Sequence, residues 1–264
     1  MPPELATGPP DFVGVGTHLG GSRWWARLLA AHPDISGPAG GDWSLGFFEP
    51  FCAREMGEDD VAAYHAHFPR RPGAVVGEWS DRYALDPWTP PLLRRAAPDA
   101  KLLLVLRDPF ERYRRQLSRR MGDPRPAGEP IYMSEDVHRG RYASQLRVLR
   151  AFFDPERILV LQWERCLRDP RGEYARTLRF LGVDDRFAPR RLRPSRLAEE
   201  VAPRVRRRLG LPAPAPVGLW PDIAATLRTE MTPEVEELRV LVPALDLGLW
   251  PAFAHLAPRD DTAP

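Results

Sequence analysis

Short blocks of consecutive apolar residues alternate along this chain with longer stretches in which apolar positions recur every three or four residues. The blocks 13–16, 74–78, 101–106 and 157–161 read as strands. The stretches 22–31, 90–97, 110–121, 139–153 and 171–181 carry helical spacing. His32-Pro33 stops the first of these helices, whose Trp24, Leu28 and Ala31 share a face, and Gly182 ends the last. Block 101–106 has no polar alternation, and a strand apolar on both faces belongs inside a parallel sheet. Strands alternating with helices predict the α/β class: three layers, with a central, mostly parallel sheet flanked by helices.

The 264 residues fit one large domain over 12–254, between a flexible tail at 1–11 and a disordered tail at 255–264. From residue 188 the pattern weakens into an arginine- and proline-rich stretch through 216. Helical signals return at 223–229 and 233–241, so 188–254 is expected to form an appendage covering the site. Basic and acidic side chains nearly cancel, 38 against 36, which selects no polyanionic partner and no nucleic acid. Lys101 is the only lysine, so any phosphate work falls to arginine. Cys52 and Cys166 have no metal-ligand spacing and suit a reducing compartment. The N-terminus lacks a basic start and an apolar core, and no run reaches about 18 apolar residues. A protein of the cytoplasm with no membrane partner is the expectation.

The junction of the first strand and helix carries the most chemistry. Gly16 is followed by Thr17-His18-Leu19-Gly20-Gly21-Ser22, a glycine-bracketed turn into a helix whose free N–H groups suit an anion. Gly20 and Gly21 let a ligand approach the backbone, and Ser22 opens the helix. A nucleotide-triphosphate P-loop would need a lysine between Gly21 and Ser22, and none is there. In open parallel sheets ligands collect beyond the C-terminal strand ends, where 17–22, 78–82 and 107–112 would all lie. Arg107 closes an apolar strand, where a charge needs a partner or an open cleft. It binds an anion there, or it pairs with Asp108 or Glu111.

Three segments together resemble the sulfotransferase family that uses 3′-phosphoadenosine-5′-phosphosulfate (PAPS), particularly its bacterial and glycosaminoglycan-type branches. Gly20-Gly21-Ser22-Arg23, followed by a helix and His32-Pro33, looks like the loop that cradles the 5′-phosphosulfate. The stretch from Lys101 through Arg107-Asp108-Pro109-Phe110-Glu111-Arg112 is similar to the strand and helix start that hold the 3′-phosphate. Gly77-Glu78-Trp79-Ser80-Asp81-Arg82-Tyr83 looks like the family's Gly-Glu-Lys-Ser/Thr-Pro-x-Tyr segment. Gly140-Arg141-Tyr142, the stretch 158–164 and Phe180-Leu181-Gly182 follow in the family's order, with a looser match at 245–253. The resemblance implies a P-loop-like fold and in-line sulfuryl transfer from PAPS, without a metal, to a hydroxyl or amine of a small metabolite. It implies donor binding by Thr17, Gly20, Gly21, Ser22, Arg23, Trp24, Arg107 and Arg115. Trp24 and Trp25 could frame the adenine or an acceptor ring, one of the two being core.

Several positions depart from the family pattern. The loop lysine is Leu19, the lysine of the Gly-Glu-Lys segment is Trp79, and the serine expected eight residues beyond Arg107 is Arg115. Arg115 replaces that hydroxyl or lies on a solvated helix face, and Ser118 is a weaker substitute. At Ser44-Leu45-Gly46-Phe47-Phe48-Glu49, the family's acidic base is Ser44 and its histidine is Gly46. Candidates for transition-state charge are therefore His18 and Arg23, and for the base Asp42, Glu49, Glu78 or His18. Two other functions compete: a sulfotransferase-like scaffold without useful activity, and an atypical kinase whose metal ligands would be Asp108 and Asp81.

Overall fold

The computed structural model describes residues 6–121, 135–192 and 221–257. Five strands form one parallel sheet: β1 (Phe12–Gly16), β2 (Ile35–Ser36), β3 (Val75–Trp79), β4 (Lys101–Leu106) and β5 (Ile158–Gln162), in the spatial order β2-β3-β1-β4-β5. β1 is central, with β3 on one side and β4 on the other. The chain order reverses across it, which opens a crevice at its C-terminal end.

Alternation along the strands sorts side chains to two faces. Val13, Val15, Val76, Leu102 and Leu104 point into one core. Phe12, Trp79, Leu103, Val105 and Leu161 point into the other. The first face is covered by α2 (Glu58–Ala66), α3 (Thr89–Ala96), α5 (Tyr142–Arg150) and α8 (Pro221–Leu241), with the start of α4 (Pro109–Met121). The second is covered by α1 (Ser22–Leu29), α6 (Trp163–Arg168) and α7 (Pro170–Leu181). These are the three layers and the parallel sheet expected of the α/β class.

Three details differ from the sequence reading. The buried face of α1 is Trp25, Ala26, Leu28 and Leu29; Trp24 is half-buried and Ala31 is exposed beyond the helix end. The two helical signals near the C-terminus are one helix, α8, running through Pro233. Ala224, Leu227, Met231, Val235 and Leu238 keep a continuous buried stripe across the proline, and that packing outweighs the missing hydrogen bond. Helix α2 had no sequence signal, because it buries a single side chain, Tyr64.

Within the expected tail 1–11, residues 6–11 are held to the domain. Arg70 binds Asp11 at 2.6 Å and also the Pro9 carbonyl, while the Val76 N–H donates to Asp11. Residues 1–5, most of the arginine- and proline-rich stretch and the last seven residues lie outside the described residues. No helix among the described residues is long and apolar enough to cross a membrane.

Candidate active site at the strand ends

The turn between β1 and α1 is pinned to the end of β4. Thr17 donates from both its N–H and its Oγ1 to the Val105 carbonyl, the latter at 2.7 Å. Gly20 N–H donates to the Thr17 carbonyl at 2.9 Å. A side chain at Gly20 would strike Thr17 Oγ1 at 2.2 Å. Gly21 has φ 101° and lies flat on the Trp163 ring, which a Cβ would meet at 1.9 Å. Tight packing of the turn, against Thr17 and Trp163, is thus what requires these glycines, where the sequence suggested only ligand access. Ser22, buried, is the first residue of α1, and no side chain caps the helix. Among the described residues, the N–H groups of Ser22 and Arg23 meet no acceptor, as the free first turn of a helix leaves them.

Arg107 stands one step beyond β4. Its guanidinium carbon lies 5.8 Å over the Trp163 ring, and its buried Nε has no partner. Burial, and then the neighbouring charge of Arg115, push the Arg107 guanidinium below its ordinary value, with Glu164 and Glu111 opposing. The two acids that could have paired with it are engaged elsewhere. Asp108 caps α4 through Oδ1, taking the N–H groups of Phe110 at 2.9 Å and Glu111 at 3.3 Å. Glu111 binds Arg114 at 2.8 Å. Arg107 makes no ion pair among the described residues. Arg115 is exposed beside it, and Ser118 bonds back to the Arg114 carbonyl within its own helix.

Trp163 joins the two anion-friendly ends. It backs Gly21, carries Arg107 on its face and meets Trp24 edge-on at 5.2 Å. The Trp24 Nε1 is buried without a partner, whereas Trp25 is wholly core and bonds Thr177. Sequence reasoning gave Trp163 no role, although it lies in one of the family-like stretches. Arg112 was passed over too. It is fully buried, donates from Nη2 to the Asp136 carbonyl, and leaves Nε and Nη1 unpartnered. Burial pushes the nearby Tyr142 hydroxyl up to about 12, with Arg112 opposing.

On the β3 side, His18 Nδ1 lies 3.0 Å from Asp81 Oδ2, both side chains being part-exposed. Burial would raise the Asp81 carboxyl, but the bond to His18 and the charges of His18, Arg23 and Arg139 hold it below the usual carboxylate range. Around this pair, Arg82 bonds Asp86 at 3.2 Å and approaches Glu49 and Glu135, while Arg139 binds Glu135 at 2.5 Å. Loop 42–49 is tied to the same edge, Trp79 N–H donating to Trp43 O at 2.7 Å and Gly46 N–H to Ser80 Oγ at 3.0 Å. Asp42 is exposed on it and accepts the Ser44 N–H at 2.9 Å.

One candidate base from the sequence is sealed in the core. Glu78 has 0% exposure and accepts hydrogen bonds from Tyr64 at 2.6 Å, Ser80 at 2.8 Å and Tyr83 at 3.2 Å. Burial pushes its carboxyl up to about 7 in spite of those bonds. A side chain with no path to a substrate is no general base, so Glu78 is structural. Trp79, at the position of the second lysine, is core: its ring covers Gly14 and its Nε1 donates to the Gly16 carbonyl at 3.3 Å. The kinase reading loses its ligands as well, since Asp108 caps a helix and Asp81 holds His18. No group of three or more His, Cys, Asp or Glu among the described residues could hold a metal ion.

Comparison with known proteins agrees with this architecture. Residues 87–188 match the sequence model of the sulfotransferase family. The human heparan sulfate glucosamine 3-O-sulfotransferase 6 is 30% identical over 197 residues, 68% of this chain and 55% of that protein. The human 3-O-sulfotransferase 3B1 is 27% identical over 188 residues, 66% and 46% of the two. The chain spans about half the length of the curated relatives it matches. The crystal structure of a sulfotransferase from Alicyclobacillus acidocaldarius superposes with a TM-score of 0.67 and 26% identity, covering 92% of this chain and 99% of that one. With matching fold, matching segments and the glycine turn at the end of β1, the chain belongs to the sulfotransferase family.

Proposed function

We propose that this protein transfers a sulfuryl group from PAPS to a hydroxyl or amine of a small metabolite by in-line displacement. The observation that carries the reading is the pair of anion-ready ends bridged by Trp163. The free N–H groups of Ser22 and Arg23 supply one end, and the unpartnered Arg107 Nε beside Arg115 supplies the other. This arrangement fits a nucleotide carrying anionic groups at both its 5′ and 3′ positions. When bound, PAPS supplies an activated sulfuryl group on a phosphate leaving group. Thr17, Gly20, Gly21 and Ser22 then form the 5′ cradle, Arg107 and Arg115 hold the 3′-phosphate, and Trp24 with Trp163 line the base. Arg23 stands at the sulfuryl end, where negative charge must be stabilised, with His18 in the glycine turn before it.

A small acceptor is favoured over a polyanionic chain by the charge around loop 42–49. There Arg82 and Arg139 are matched by Glu49, Asp86 and Glu135, so among the described residues these ion pairs leave no excess of positive charge for a polyanion. A panel of phenols, alcohols, amines and heparan sulfate, assayed with labelled PAPS, tests that preference. Preferred transfer to heparan sulfate would overturn it. The scaffold reading retains one supporting fact, the replacement of both family lysines by Leu19 and Trp79. Bisphosphate binding without transfer to any acceptor would favour it.

Arg107→Ala tests the donor site itself. Loss of a charge-assisted contact of about 2 kcal/mol should weaken 3′-phosphoadenosine-5′-phosphate about 30-fold by calorimetry. Adenosine 5′-phosphosulfate, without the 3′-phosphate, should be almost unaffected. An equal loss for both ligands would make Arg107 structural.

A further inference from the structure

We infer that His18 is the general base of the transfer and that Asp81, which no family motif supplies in this role, is its positioning residue. The inference rests on the PAPS reading above. His18 sits in the glycine turn, two residues past the end of β1 and four before the first residue of α1, a place that on the PAPS reading is the sulfuryl end of the cradle. The Asp81 carboxylate, 3.0 Å from Nδ1, fixes the proton on that nitrogen and leaves Nε2 with its lone pair free to accept.

The other acids serve poorly. Glu78 is sealed in the core, Glu49 approaches Arg82, and Asp42 turns back on the Ser44 N–H. The groups facing the pair are Arg23 from α1 and Arg139 from the turn before α5, whose charges both act on Asp81. They keep Asp81 ionised, so it does not compete for the proton that His18 takes. His18 Nε2 accepts the acceptor's hydroxyl proton as that oxygen bonds to sulfur. The sulfur–oxygen bond to the 5′-phosphate breaks and its electron pair leaves with the phosphate, so the histidine ends the step as imidazolium beside a carboxylate.

Two variants and one spectroscopic measurement decide it. In the unsubstituted protein labelled with ¹⁵N-histidine, His18 should show the Nδ1–H tautomer. His18→Ala should lower kcat on the best acceptor of the panel at least 100-fold while the affinity for 3′-phosphoadenosine-5′-phosphate stays within about twofold. Asp81→Asn should lower kcat about 10- to 100-fold with KM for PAPS unchanged. Full activity in His18→Ala, an Nε2–H tautomer in the unsubstituted protein, or an unchanged kcat in Asp81→Asn overturns the dyad while bisphosphate binding leaves the donor site standing. Absence of bisphosphate binding in the unsubstituted protein overturns the donor site and the dyad together.

Discussion

Glu78 illustrates what one residue's surroundings do to a reading made from its neighbours. In the sequence it closes a short apolar block, beside a position where the family has lysine, and it reads as chemistry. In the fold it is enclosed by Tyr64 of α2 and by Tyr83 and Ser80 of the loop after β3. None of these pairings has a sequence signature: Tyr64 lies in a helix with no apolar periodicity. The folded carboxyl titrates near 7, above the ordinary value of 4.5, so the folded state binds the proton more tightly than the unfolded chain. Stability should therefore fall as pH rises from about 4.5 to about 7, by an amount of order 3 kcal/mol. Glu78→Gln, which mimics the protonated form, should flatten that fall. Urea denaturation at pH 5 and pH 8 measures it, and an unchanged pH dependence would remove Glu78 as its source. Arg107 behaved differently, because an arginine ending an apolar strand is unusual whatever surrounds it. That anomaly was legible, whereas the engagement of Asp108 and Glu111 elsewhere had to be seen.

At the scale of elements, the long strands and the amphipathic helices were legible because burial on one or both faces writes itself into spacing. The two-residue β2 and the acidic α2 were not, since neither buries enough apolar surface to impose a period. The turn from β1 to α1 was recognised by its glycines, but its reason was hidden in Trp163, which is distant in sequence and close in space. The same contrast separates the two missing lysines. Leu19 is half-buried on the turn and already holds a left-handed backbone, φ 61°, whereas Trp79 is sealed against Gly14 within β3. Leu19→Lys should therefore place a cation at the 5′ cradle and raise turnover of labelled PAPS at least 10-fold. Trp79→Lys should instead empty a packed site and bury an ammonium, lowering stability by about 3 to 5 kcal/mol with no gain in rate. Comparing rate and urea midpoint for the two variants checks the distinction. A gain from Trp79→Lys alone would reverse it.

Across the whole molecule, the C-terminal segment returns to brace the strand ends that carry the site. Gln162 at the end of β5 binds both backbone groups of Asp246, at 2.8 and 3.1 Å. Glu164 accepts the Trp250 Nε1–H at 2.8 Å and the Asp108 N–H at 3.0 Å, and Asp108 Oδ2 takes the Ala252 N–H. Residues some 140 apart in sequence thus fix the step from β4 to α4 where Arg107 stands. Side-chain bridges of this kind have no period, so the sequence offered only a loose family likeness at 245–253. If the segment braces the donor site, breaking its bond and loosening its packing should have different consequences. Trp250→Phe keeps most of the ring's volume but removes the donor to Glu164, a cost of about 1 to 3 kcal/mol. Because Glu164 also holds the Asp108 N–H next to Arg107, the affinity for 3′-phosphoadenosine-5′-phosphate should fall several-fold. Phe253→Leu trims the same core without touching Glu164, and should lower the urea midpoint while leaving bisphosphate affinity unchanged. Calorimetry and denaturation on the pair separate bracing from bulk stability: equal affinity losses would mean that the segment acts on the site only by holding the domain together.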